Sequence, residues 1–409
     1  MTTLQETIDR YKSECKGAGV EPSKFILDVL DLYQKKNEGE IEDLHLYLAG
    51  NNKLITDTRL TDDDAELIYK TLKNNVLVKS LDLRYNNITD KGVGHLAQLI
   101  RESPALRSIN LMCNDFRDEG AKLLAEALQM NPVLESLQIN GNKIGRTGGM
   151  CFAQALQVNT GLQALDVGDT DLKIDSVVAL ATVLKFNSTL KALNVNRPLT
   201  SDNEAENTVH YGDMLKENQT LQELHLVKHD IRDFGATRLA EALMENESLQ
   251  YLNLSCNRIT RDGAKVFAKL LKQDSPLRVL DLSYNRLEDD GAIYLAKALE
   301  AYNTNLETLV LRYNNISGPG LCAIADAMKI NSSLKKVYIW GNNLEESACI
   351  AFSELISSGR LEQKNTDVKP HIIDGESKLA ELSHSTQRWY YWGPSYGDDA
   401  LAELKVFAK

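Results

Sequence analysis

Cysteine is scarce. Six residues, at positions 15, 113, 151, 256, 322 and 349, are scattered over 409 with no paired or metal-ligand spacing. Such a set builds neither a disulfide framework nor a zinc site, and it points to an intracellular chain with reduced thiols. Proline (8) and glycine (24) are too few for a low-complexity or disordered chain. No apolar run nears the ~18 residues needed to cross a bilayer. The first residues, Met1-Thr-Thr-Leu-Gln-Glu-Thr7, lack both a basic region and an apolar core, so no secretory signal is expected. Positive charge is in deficit, 46 bases against 58 acids for a net −12. That balance disfavours nucleic acid or an anionic membrane as the main partner.

Recognisable chemistry is missing as well. The glycine rhythm from Gly141 to Gly149 resembles a phosphate loop but lacks the Gly-Lys-Ser/Thr ending. His225 and His229 are the one close histidine pair, with no third ligand in register. No Ser, Cys or Asp sits in a nucleophile context. No catalytic residue, cofactor or metal is expected.

What the chain has is a repeat. Leu249 to Gly263 shows Leu252 and Leu254 alternating with polar residues as in a strand with one buried face. Asn257 follows at a bend, Ile259 turns back inward, and Asp262-Gly263 opens a helix. With the bend as ruler, the unit recurs at Asn86, Asn114, Asn142, Thr170, Pro198, His229, Asn257, Asn285, Asn314 and Asn342, mostly 28 residues apart. One such unit cannot bury its own apolar face and must stack on copies. The predicted fold is an α/β leucine-rich solenoid, a horseshoe with a parallel concave sheet and outer helices. Three consecutive bends, Thr170, Pro198 and His229, lack asparagine, and the 31-residue spacing between the last two carries the polar stretch Thr200–Asn207. This stretch is either a binding edge or tolerated drift, since surface insertions cost little loop entropy.

Residues 1–40 read as two helices capping one end, 41–358 as one uninterrupted run of about eleven repeats, and 359–409 as a non-repeat tail. Within the tail, Ser377–Leu382 reads as a short helix. Residues between the strand leucines and before the bends are expected to face solvent as a wall. Arg84 and Tyr85 stand near one end; Tyr284, Arg312, Tyr313, Tyr338 and Trp340 gather near the other. Tyrosine, tryptophan and arginine dominate interface hot spots, so these are the candidate contacts for a protein partner. The tail run Arg388–Tyr396 adds Trp389, Tyr391 and Trp392. So aromatic a segment either folds back onto the last repeat near Trp340 and Tyr313 or recognises a partner.

The unit Leu277-Arg-Val-Leu-Asp-Leu-Ser-Tyr-Asn-Arg-Leu-Glu-Asp-Asp-Gly resembles the ribonuclease-inhibitor subfamily of leucine-rich repeats, over about residues 41–358. That resemblance implies the fold and no single activity, because inhibitors, GTPase activators and scaffolds share it. A narrower resemblance to one member rests on Val337-Tyr-Ile-Trp-Gly-Asn-Asn-Leu, Asn365-Thr-Asp-Val-Lys-Pro and the aromatic tail. It implies a non-catalytic interaction scaffold of the nucleolus and cytoplasm in germ and stem cells. A structural part in a ciliary or sperm axoneme is an alternative. An inhibitor is disfavoured by the few cysteines, and a Ran-type GTPase activator by a tail without an acidic run.

Overall fold

The structure, a computed structural model, describes residues 3–36, 42–52, 59–199, 204–273, 275–301 and 303–382. The described residues fall into two compact units, those up to Leu193 and those from Asn194 onward. The first unit begins with α1 (Leu4–Ala18) and α2 (Lys24–Lys36), then alternates β1 (Leu44–Tyr47), α3 (Asp62–Leu72), β2 (Val78–Asp82), α4 (Asp90–Glu102), β3 (Ser108–Asn110), α5 (Asp118–Met130), β4 (Ser136–Gln138), α6 (Gly145–Leu156), β5 (Ala164–Asp166) and α7 (Ile174–Leu184). Strand β6 (Ala192–Asn194) lies at the boundary. The second unit continues with α8 (Glu204–Glu217), β7 (Glu223–His225), α9 (Asp233–Leu243), β8 (Tyr251–Asn253), α10 (Arg261–Leu271), β9 (Val279–Asp281), α11 (Glu288–Ala301), β10 (Thr308–Val310), α12 (Gly318–Ile330), β11 (Lys336–Tyr338) and α13 (Glu346–Ser357). It ends with a 3-10 turn (Gln363–Asn365), β12 (Val368–Ile373) and β13 (Glu376–Glu381).

Within the first unit successive repeat strands pair in parallel with no register drift at the core position: Leu81 faces Ile109, then Leu137, then Leu165. In the second unit Leu224 faces Leu252, Leu280, Leu309 and Val337 in turn. These leucines and their helix partners, such as Leu124, Leu239 and Leu295, are fully buried. The alternating strand pattern therefore buries what it should, and the fold is a leucine-rich repeat solenoid.

Three polar ladders keep the buried backbone satisfied between repeats. At the bends, Asn285 Nδ2 donates to the carbonyls of Leu254 (3.0 Å) and Leu282 (2.9 Å), while its Oδ1 accepts from Ile259 N–H. Asn86, Asn114, Asn142, Asn257 and Asn342 do the same in their repeats. The carbonyls of Leu83, Leu111, Leu254 and Leu282 thus serve two asparagines, their own and the next. After the helices, a second set (Asn131, Asn159, Asn246, Asn331) donates to a carbonyl at the end of the preceding helix and accepts from the N–H three residues on. The third ladder is acidic. Asp62, Asp90, Asp233 and Asp289, each in a helix first turn, accept from two backbone N–H groups that open the helix of the next repeat. A helix N-terminus leaves such donors unsatisfied and favours negative charge. The close approach of the acid also dictates the glycine. A Cβ on Gly263 would lie 2.7 Å from Asp233 Oδ1, and one on Gly320 2.7 Å from Asp289 Oδ1.

One stretch departs from expectation. Ser377–Leu382 is not helical: it lies mostly in β13, antiparallel to β12 with Ile373 opposite Glu376. The turn is Asp374-Gly375, both at positive φ (50° and 86°), the pairing that a tight two-residue hairpin demands. Leu361, Val368 and Leu379 are buried, and Ser353 of α13 meets Ser377 Oγ at 3.0 Å, so the hairpin covers α13. At the other end, α1 is tied to the repeats by Asn75 Nδ2 donating to Thr7 Oγ1 at 2.9 Å.

Candidate partner-binding surface

The residue before each bend takes left-handed backbone geometry whatever its identity: Tyr85 (φ 58°), Cys113 (53°), Lys228 (58°), Cys256 (57°), Tyr284 (56°) and Tyr313 (51°). Outside glycine this conformation is strained, and the hydrogen bonds of the bend side chain that follows, an asparagine in most repeats and His229 after Lys228, hold it there. The consequence is directional. At the bends of the second unit, side chains leave the sheet at its edge instead of lying along the strand face. Tyr284 is 49% exposed and Tyr313 40% exposed. Their rings stack at 4.5 Å between centroids and 11° between planes. Gly341 occupies the next bend, and a Cβ there would sit 2.4 Å from the Tyr313 ring. The absent side chain is what lets Tyr313 settle over the edge.

Beside this stack lies a depression of about 380 Å³ lined by Lys228, Asp230, Cys256, Arg258, Tyr284 and Arg286, with two bend asparagines as its floor. Asp230 pairs with Arg258 at 2.6 Å. Three cations against one acid make this spot positive on a chain that is negative in sum. Partial burial, then the neighbouring Tyr313, pushes the Tyr284 phenol upward, so it stays a neutral hydrogen-bond donor.

The remaining strand-face candidates are less open than the alternation implied. Arg84 is buried at 0% exposure, its Nε 3.5 Å from Asp82, and burial pushes the Asp82 carboxyl up to about 6 against the pull of Arg84. Tyr338 is buried too. The two corrections have different causes: Arg84 follows β2 at the bend and turns inward beside Asp82, whereas Tyr338, on the edge strand β11, is covered by Arg312. Arg312 and Trp340 are half-buried, as is Tyr85. Arg312 donates through Nε to Asp367 and lies 5.9 Å over the Tyr338 ring. Asp367 also accepts the N–H groups of Ile339 (2.9 Å) and Trp340 (3.1 Å), closing the edge of β11. The structure thus brings Tyr284, Tyr313, Arg312 and Tyr338 together and leaves only the first two open. Arg84 and Tyr85 lie in the other unit, and Trp389, Tyr391 and Trp392 lie outside the described residues.

Lys228, Arg258 and Arg286 were not among the candidates. The signal was available: two of them directly follow a bend asparagine and one precedes a bend histidine. His225 and Glu223 meet at 2.6 Å on the buried strand face. Among the described residues no cluster of three His, Cys, Asp or Glu is arranged for a metal, and no helix is long and apolar enough to cross a membrane.

A family model described as "Leucine Rich repeat" matches residues 74–97, 102–125, 131–153, 217–240, 245–268, 273–296 and 302–325. Three whole-length relatives carry one name, leucine-rich repeat-containing protein 34. The human protein is 55% identical over 389 residues, covering 95% of this chain and 84% of its own length. The rat protein is 52% identical over 396 residues (97% and 95%), and the mouse protein 50% over 375 (91% and 90%).

Proposed function

Because the chain belongs to the leucine-rich repeat-containing protein 34 family, we propose that it is a non-catalytic scaffold that holds a protein partner at the bend edge of its second unit. The observation that carries this reading is the stacked, half-open Tyr284–Tyr313 pair beside Lys228, Arg258 and Arg286. Aromatic rings and arginines supply large contact area at low entropic cost, and the surplus cations suit a partner segment bearing carboxylates. Residues 1–40 serve in this reading as an end cap, 41–358 as the binding solenoid and 359–409 as the closing tail. The setting we propose is the nucleolus and cytoplasm, or a ciliary axoneme.

Proximity labelling with a tagged full-length chain in germ-line cells tests the proposal. A Tyr284→Ala/Tyr313→Ala variant should keep the parent's melting temperature within a few degrees and lose a discrete subset of labelled proteins. Imaging of the same tag separates the two settings. An unchanged labelled set in the double variant removes this edge from the account, and turnover of any substrate by the purified chain removes the scaffold reading.

A further inference from the structure

Two helices of the first unit's repeats expose less charge than their described neighbours. Helix α5 exposes Asp118, Glu119, Lys122 and Glu126, and α4 exposes Lys91, Arg101 and Glu102. Helix α6 exposes only Arg146 and α7 only Asp175, and these two neutralise each other at 2.6 Å. Their outward residues are otherwise Thr147, Met150, Gln154 and Thr182. In a chain with 25% charged residues this is a local depletion, the compositional mark of an interface core. Two further observations fall on the same face. A groove of about 620 Å³ runs between α6 and α7, with Ala153, Ala179 and Val183 among its lining residues. At the ends of α5, α6 and α7, equivalent positions in three successive repeats hold Met130 (71% exposed), Val158 (61%) and Phe186 (86%). In the repeat before them the same position is Glu102.

We propose that this face is a self-association surface, occupied by the α6–α7 face of a second copy of the chain. It carries both halves of a self-complementary contact, protruding apolar side chains and an apolar groove, which is what a two-fold contact requires of a single patch. It also meets the electrostatic condition. Two copies each at −12 repel unless they touch where like charges are absent. Along α6 and α7 themselves the one exposed ion pair is internally neutral, so these helices offer a copy no like charge. The apolar anchors are few against the roughly 20–30 residues a side of a standard interface. A weak, concentration-dependent dimer follows, at the small end of the range of interface sizes.

Sedimentation equilibrium of the full-length chain from 1 to 200 µM tests this. The weight-average mass should rise from 45.7 kDa toward twice that value. The association should be undiminished when salt goes from 0.1 to 0.5 M, because no ion pair crosses the contact. Phe186→Asp and Val158→Asp should weaken it at least tenfold while melting like the parent, both side chains being solvent-exposed; Phe186→Leu should retain it. A single-chain mass at 200 µM, or a dimer indifferent to Phe186→Asp and Val158→Asp together, overturns the proposal.

Discussion

Asn285 and Thr170 occupy the same place in their repeats, yet the side chain of one bonds across to its predecessor and that of the other only within its own bend. Asn285 ties two carbonyls and an N–H belonging to both its own repeat and its predecessor. Thr170 reaches only the carbonyl of Val167, within its own bend, at 2.6 Å. His229, a third solution, donates through Nε2 to Val195 O at 2.9 Å, spanning 34 residues where an asparagine spans 31, the difference being the three-residue insertion. The lesson is that stacking leucines bury area without regard to direction, while the amide fixes how one repeat's bend meets the next. Where the amide is lost, the leucines remain and the cross-repeat tie is weaker.

Breaking the strong side of this comparison should cost most. Asn285→Ala leaves the Ile259 N–H without its acceptor in a buried bend and removes one of two donors from each of Leu254 O and Leu282 O, which keep Asn257 and Asn314. At about 1–3 kcal/mol for the unmet N–H and about 0.5–1.5 kcal/mol for each of the two lost bonds, the loss should be about 3–4 kcal/mol. Chemical denaturation of parent and variant measures it.

The histidine solution should show itself in pH. Burial pushes His229 down to about 4, against about 6.5 when unfolded. Below pH 6.5 the unfolded chain takes up a proton that the folded chain refuses until about pH 4. This contribution is therefore intact above pH 6.5 and is lost as pH falls toward 4, by about 3 kcal/mol. Asp82, raised to about 6, titrates with the opposite sign over the same window, so the informative quantity is the difference between parent and His229→Asn. The variant should lose less stability on acidification. Parallel pH curves for the two would contradict the buried, neutral imidazole.

Repairing the weak side should have a smaller effect of the other sign. In Thr170→Asn the new amide would lie within reach of Val167 O and of Ile139 O, which now accepts only Asn142 among the bend side chains. A gain of about 1 kcal/mol is expected, read as a higher denaturation midpoint. Smallest of all, Tyr284→Ala should change stability by no more than about 1 kcal/mol, since half of the ring is already in water and the lost stacking is of that size.

How much of this was legible beforehand divides along the same line. The bend positions and core leucines stood out because a period of 28 repeats ten times. The second asparagine ladder was just as periodic, Asn131, Asn159 and Asn187 at the same interval, but it lies beyond the helix ends, where no apolar alternation draws the eye. Acids in the helix first turns were legible as dipole partners of their own helices. That they cap the neighbouring helix instead needs the 27-residue offset to become a distance in space. The hairpin was missed despite its Asp374-Gly375 turn, because Pro370 and the charged run Glu376-Ser-Lys378 masked the strand period. On the candidate surface, alternation located Tyr284 and Tyr313 and misjudged Arg84 and Tyr338. Side-chain alternation gives the face of a strand, whereas exposure also depends on the neighbours along it.

Native-state hydrogen exchange on the parent and on Thr170→Asn tests the central claim most directly, because it reads the bends separately. In the parent, amides of residues 136–172 should exchange faster than those of 252–287, and the added amide should slow the first set while leaving the second untouched. Equal protection of the two stretches in the parent, with no slowing in the variant, would contradict the claim that bend asparagines, rather than stacked leucines alone, lock one repeat to the next.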